Sequence, residues 1–191
     1  MDLIDPKRVA FDIDGVVADT MRLFLDIAQS RHGINHIAYE DITCYHLDEC
    51  LEIDGSVLAD VITCLLEGRY QSVLSPIDDA PQVLHRMARD HAPLFFVTAR
   101  PDAQLMQRWF AETLALAPAQ FEIVATGAYE AKRDVLLDRG VTHFVEDRLE
   151  TCFFLQEEGI SPVVFKQPWN RVPHPFTEVS TWQELSALID W

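Results

Sequence analysis

Residues 8–16 read RVAFDIDGV: a short apolar run, Arg8 to Asp14, is broken at its end by two acids, Asp12 and Asp14, and then meets a glycine. A short continuous apolar run suits a strand buried on both faces, and Gly15 marks the turn that ends it. Similar runs recur at 93–98 (PLFFVT), 121–125 (FEIVA), 142–146 (THFVE) and 161–166 (SPVVFK), so five strands are predicted. Helical spacing fills the intervals. Ala80, Val83, Leu84, Met87 and Ala88 share one face of a helix that Asp79 is placed to cap. Further helices are predicted over 101–115, 130–139 and 149–158, with Gly140 and Gly159 where the latter two should stop. Thr181-Trp-Gln-Glu184 has the pattern of a capping box opening a last helix.

Strands alternating with crossover helices predict an α/β fold with a doubly wound parallel sheet, because such crossovers lay helices on both faces. One interval breaks the rhythm. Residues 20–75 are too many for a simple crossover and read as a small inserted helical cap, leaving 1–19 and 76–191 as the core. The cap's first helix would turn Met21, Phe24, Leu25 and Ala28 to one side, and a second would cover 57–66.

The chain has 191 residues, 49% of them hydrophobic, enough for one core domain with an insertion. Its 31 acids against 15 Lys and Arg give a net charge of −16, which leaves no basic footprint for a nucleic-acid polymer or an anionic membrane. No apolar run approaches the length of a membrane span, and residues 1–7 are short and acidic, unlike a secretory leader, so a cytoplasmic protein is expected. Cys44, Cys50, Cys64 and Cys152 form no C-x-x-C pair and read as free thiols.

Ligands of such folds bind beyond the carboxyl ends of the strands. There the sequence puts Asp12 and Asp14, then Thr98, then Glu146 and Asp147, with Lys132 early in a nearby helix. Each has an ordinary structural reading as a turn former, a cap or a solvated charge. Their joint order on a parallel-sheet pattern favours a site. An acidic chain that handles phosphate must also supply positive charge locally, and Lys132 does so.

These motifs, D-x-D-x-V at 12–16, Thr98, Lys132 and Glu146-Asp147, resemble the four signatures of the haloacid dehalogenase superfamily of Mg²⁺-dependent phosphotransferases over essentially the whole chain. Only Glu146 departs, standing where many members carry Asp or Gly. The resemblance implies Asp12 as nucleophile and metal ligand, and Asp14 as acid and base, its backbone carbonyl on the Mg²⁺. It further implies Asp147 as a metal ligand and Thr98 and Lys132 on the phosphoryl oxygens. Asp14 would need a carboxyl that holds a proton near neutral pH, a state that neighbouring carboxylates favour. The start FDIDGVVADT, the small cap and the loop Gln167-Pro-Trp-Asn-Arg171 look like the cytosolic 5′(3′)-deoxyribonucleotidase branch. A small soluble phosphomonoester substrate is therefore expected, with a (deoxy)nucleoside monophosphate, a sugar phosphate, or a non-catalytic binding role on the same scaffold as the readings left open. Trp169 stacks on a base or anchors its loop, Asn170 binds substrate, and Arg100 either binds the leaving group or lies on the surface beside Pro101. Phe24, Tyr39, Tyr45 and Tyr70 belong to the cap as specificity residues or as its core.

Overall fold

A computed structural model describes residues 3–191. Six parallel strands form one sheet: β1 (Val9–Phe11), β2 (Leu94–Thr98), β3 (Phe121–Ala125), β4 (His143–Glu146), β5 (Ser161–Phe165) and β6 (Thr177–Val179). Their order across the sheet is β3-β2-β1-β4-β5-β6, so the chain reverses direction of travel at β1. That switch point leaves a crevice at the carboxyl ends of β1, β2 and β4. β6 was not predicted: three residues are too few to show a period, and β6 joins β5 through a helix-poor loop rather than a crossover helix.

Alternate residues of each strand face opposite layers. Phe11 and Phe96 join Val83 and Leu84 of α4 (Ala80–His91), Phe110 of α5 (Gln104–Glu112) and Trp182 of α8 (Trp182–Leu188) in the larger core. Ala10, Phe95, Val97 and Phe144 pack against Leu136 of α6 (Lys132–Asp138) and Leu155 of α7 (Leu149–Glu157) on the other side. Several helix ends differ from expectation. α5 starts at Gln104, where Asp102 Oδ1 accepts its N–H at 2.9 Å. Asp79 holds the N-cap position of α4 in the left-handed conformation, but its side chain makes no capping bond. Thr181 caps α8 through the N–H of Glu184, while the Glu184 carboxylate reaches one residue further back, to Ser180 N–H.

Between β1 and α4 lie α1 (Thr20–His32), α2 (Leu47–Cys50) and α3 (Gly55–Glu67), with α1 packed on α3. This insertion leaves and returns at one place. Asp19 N–H donates to Ser75 O at 2.9 Å and Ile77 N–H to Val17 O at 2.8 Å, so both of its ends are stitched to the turn that follows β1. Within it Cys44 and Cys50 are joined by a disulfide, which corrects the expectation of four free thiols; Cys64 and Cys152 are free and buried. The sequence spacing gave no sign of that pair, because the intervening residues bend to bring the two Cα atoms within 6.0 Å.

Trp182 ties the far end of the chain to the same turn. Its ring lies 5.5 Å from that of Phe11, and its indole N–H donates to Val16 O at 2.8 Å in a fully buried setting. Trp182→Phe leaves that carbonyl without a partner and is expected to destabilise the protein by about 1–3 kcal/mol, measured as a lower urea midpoint at unchanged m-value.

Candidate active site

The site begins with a turn. After β1, Asp12 N–H still pairs with Val145 O at 2.9 Å, and then Ile13 O accepts the N–H groups of Val17 and Ala18. Gly15 takes φ 74°, in the left-handed region, which swings Asp12 and Asp14 toward one volume. A second constraint requires glycine here: a Cβ on Gly15 would lie 2.2 Å from Asp147 Oδ2 and 3.1 Å from the Trp169 ring.

Asp12, Glu146 and Asp147 are buried, and each offers a carboxylate oxygen within 4.8 Å of the others. Lys132, from the start of α6, places its ammonium 2.8 Å from Glu146 Oε2 and 3.0 Å from Asp12 Oδ1. The other Glu146 oxygen accepts the N–H groups of Asp147 and Arg148 at 3.0 and 3.1 Å. Both oxygens of Glu146 are thus engaged, and the longer side chain acts as a brace for its neighbours. Asp12 Oδ1 is buried with the Lys132 ammonium as its one polar contact, and Asp147 Oδ2 receives only the indole N–H of Trp169, at 2.9 Å.

The electrostatics follow from this crowding. Burial pushes the Asp12 carboxyl well up, and the charges of Glu146 and Asp14 add to that against the pull of Lys132. Burial raises Asp147 likewise, with Glu146 and Asp12 reinforcing it. Burial would raise Glu146 too, but Lys132 and the N–H donors hold it low. Lys132 is held firmly charged by Asp12 and Glu146 despite its burial. An all-oxygen donor set with a surplus of negative charge fits a hard divalent cation, with Asp12 and Asp147 as the carboxylates to hold it.

Asp14 departs from expectation. Arg100 grips it with two bonds, Nε to Oδ2 at 2.9 Å and Nη2 to Oδ1 at 2.7 Å, and Thr20 donates its hydroxyl at 2.6 Å. Burial pushes this carboxyl up, yet the Arg100 charge and these hydrogen bonds outweigh it and hold Asp14 below the usual carboxylate range. In this arrangement it is ionised, not poised near neutral pH. Arg100 is correspondingly not a surface residue: it is buried, lines the cavity, and leaves Nη1 without a partner. Its exposure could not be judged from a position beside Pro101, because the pairing acid is distant in sequence.

Thr98 is fully buried at the end of β2, where its hydroxyl oxygen accepts Arg100 N–H at 3.2 Å and its own O–H stays free to donate. Trp169 lines the cavity and bonds Asp147, so it serves the site through its N–H as well as its ring. Asn170 does not face the cavity as a substrate ligand would. Its amide N–H₂ donates to Asp147 O and Phe165 O at 2.8 and 2.9 Å, and its oxygen accepts Gln167 N–H. Asn170 therefore fixes the carbonyl side of Asp147. Gln167, which sequence reading did not single out, donates to Gly15 O at 2.7 Å and accepts the hydroxyl of Tyr39 at 3.0 Å, joining loop, turn and cap.

A cavity of about 500 Å³ opens between these groups and the insertion. Asp12, Asp14, Asp147, Arg100 and Trp169 border one end, and Met21, Phe24, Leu58, Ile62 and Leu65 give the other an apolar wall. Phe24 is fully buried between the two.

A family model described as 5′ nucleotidase, deoxy (pyrimidine), cytosolic type C protein matches residues 7–190. No curated protein matches the chain. Among solved structures, a predicted phosphoglycolate phosphatase from Haemophilus somnus superposes with a TM-score of 0.64 at 11% identity, covering 94% of this chain and 96% of the other. CbbY from Rhodobacter sphaeroides, determined with xylulose-(1,5)-bisphosphate, gives 0.62 at 13% identity, covering 98% and 100%. A haloacid dehalogenase-like hydrolase from Streptococcus pneumoniae gives 0.61 at 12%, covering 97% and 98%. At these identities the likeness is one of fold. Among the described residues no helix is long and apolar enough to cross a membrane.

Gly15→Ala forces Asp147 and Trp169 aside, and is expected to weaken binding of a divalent cation by about 10–100-fold. Titration calorimetry on the folded variant measures it.

Proposed function

This chain belongs to the 5′ nucleotidase, deoxy (pyrimidine), cytosolic type C family, a branch of haloacid dehalogenase-like phosphatases, and on that premise we propose that it hydrolyses (deoxy)nucleoside 5′-monophosphates through an aspartyl phosphate on Asp12. The observation that carries the reading is the buried Asp12 carboxylate at the head of the cavity, with Lys132 3.0 Å from its Oδ1 and Asp147 beside it.

A carboxylate attacking a phosphate brings like charges together, and the Mg²⁺ that Asp12, Asp147 and the Asp14 carbonyl would hold offsets that repulsion and polarises the phosphoryl oxygens. The rest falls to the chain's own groups. An Asp12 oxygen attacks phosphorus, the P–O ester bond breaks, and the leaving oxygen takes a proton from Asp14. Water then attacks the acyl phosphate, Asp14 takes its proton, and phosphate leaves with Asp12 restored. Lys132 and the Thr98 hydroxyl bind the phosphoryl oxygens. The Arg100 pair constrains the order of events. Asp14 carries a transferable proton only once Arg100 is drawn elsewhere, and an incoming phosphate dianion offers the guanidinium, with Nη1 already free, a competing partner.

Phosphate release from a panel of nucleoside monophosphates and sugar phosphates tests the reading. Turnover should favour the deoxynucleotides, vanish with EDTA, and fall by about 10³-fold or more in Asp12→Asn. Metal-dependent turnover surviving in a folded Asp12→Asn protein removes the nucleophile assignment, and a flat panel removes the nucleotide. Lys132→Met should lower kcat by about 10²–10³-fold, read in the same assay.

A further inference from the structure

The long helices of the insertion give the cavity only apolar side chains beyond its rim: Met21 and Phe24 come from α1, Leu58 and Ile62 from α3. Thr20, at the start of α1, also borders the cavity, but its hydroxyl is bonded to Asp14. The insertion's remaining hydrogen-bonding groups at the cavity lie on one short stretch, where Tyr45, His46 and Asp48 carry a hydroxyl, an imidazole and a carboxylate. A leaving group that fills the cavity meets the insertion's polar contacts there, opposite Arg100 and Trp169 of the core.

That stretch has little structure of its own. Three bends lead into the four-residue α2, and Tyr45, His46 and Asp48 are exposed. Free in solution, such a segment samples many shapes. Two fasteners hold it. The Cys44–Cys50 disulfide closes it on itself. The Arg148 guanidinium lies 4.2 Å from the centre of the Tyr45 ring and 4.0 Å from that of Tyr129, so a core side chain is sandwiched between the loop and the α6 approach. Arg148 directly follows Asp147 and donates its N–H to Glu146, which roots this clamp in the carboxylate cluster.

We propose that the disulfide-closed loop 44–50 is the leaving-group selector of this site, with Cys44 and Cys50 as positioning residues whose bond keeps the loop in its binding shape. The proposal rests on the phosphatase reading above but not on the nucleotide. A dithiol reductant reverses the device: it supplies two electrons and two protons, the S–S bond becomes two thiols, and the reductant leaves as its own disulfide. Both cysteines are half-buried and within reach of a small reagent, whereas Cys64 and Cys152 are buried. Once opened, the loop holds its binding shape for only a fraction of the time. The KM of a substrate that touches it rises by the inverse of that fraction. A substrate too small to reach it is unaffected.

Kinetics with p-nitrophenyl phosphate and acetyl phosphate test this on the air-oxidised protein, on the same protein after dithiothreitol, and on Cys50→Ser, with alkylation and mass spectrometry reporting the state of each cysteine. Reduction should raise KM for p-nitrophenyl phosphate about fivefold or more, leave kcat within about twofold, and leave acetyl phosphate unchanged. Cys50→Ser should match the reduced protein and ignore the reductant. If that variant does not fold, the dithiothreitol arm decides alone. Equal responses of the two substrates, no response in demonstrably reduced protein, or free Cys44 and Cys50 after oxidation each overturn the selector and leave the phosphatase standing. Turnover of neither substrate in any state removes both.

Discussion

Four carboxylates, those of Asp12, Asp14, Glu146 and Asp147, gather at the end of the sheet against two cations, Lys132 and Arg100. Taking that many charges from water is costly unless each is paired or bonded. The pairing is unequal. Glu146 and Asp14 are satisfied by Lys132, Arg100 and hydrogen-bond donors, and both sit below their ordinary range; Asp12 only shares Lys132 with Glu146, Asp147 has no cation against it, and both sit above their range. The structure thus divides its acids into two that are already neutralised and two that await positive charge. A divalent cation between the latter would relieve the imbalance, which is why the site reads as a metal and phosphate centre and not as a structural ion-pair network.

The backbone that sets this up is short and heavily tied. The turn 12–20 is bonded to β4 through Asp12, to α8 through the Trp182 indole, to the 167–170 loop through Gln167, and to both ends of the insertion through Asp19 and Ile77. Such a turn cannot shift without disturbing its neighbours. The insertion is therefore registered against the carboxylates at its root, while its far side, around α2, depends on the Arg148 clamp and the disulfide. Rigidity is concentrated where the reacting groups sit, and adaptability where the leaving group would.

The fold was legible because buried parallel strands are written as contiguous apolar runs: 121–125 is the strand as read, 93–98, 142–146 and 161–166 each need trimming by one residue at an end, and 8–14 shrinks to Val9–Phe11 because the chain turns at the acids. The interval after β1 read as too long for one crossover, and α1, α2 and α3 fall within it. What stayed hidden was pairing between distant positions. Nothing local to Arg100 points to Asp14, so its position leaves the guanidinium open to a surface or a leaving-group role and the carboxyl open to holding a proton. Asn170 carries the same amide whether it faces a ligand or a main-chain carbonyl, and only the path of the 167–170 turn decides between them. Cys44 and Cys50 carry no spacing signature. Motif order located the charged groups, and tertiary contact decided which of them are engaged.

The division of labour also explains how one core can serve many substrates. The groups that would meet the phosphate come from strand ends and from α6, elements fixed by the sheet itself. The groups that would meet the leaving side come largely from an insertion that leaves and returns at one stitched place and touches the core again through Tyr39 and Tyr45. Relatives at 11–13% identity keep the architecture over nearly their whole length. Selectivity in this protein then belongs to the contrast between a hydrocarbon wall and one short polar loop: the wall excludes heavily hydroxylated leaving groups by denying them partners, and the loop admits those whose few polar atoms fall where Tyr45, His46 and Asp48 can reach.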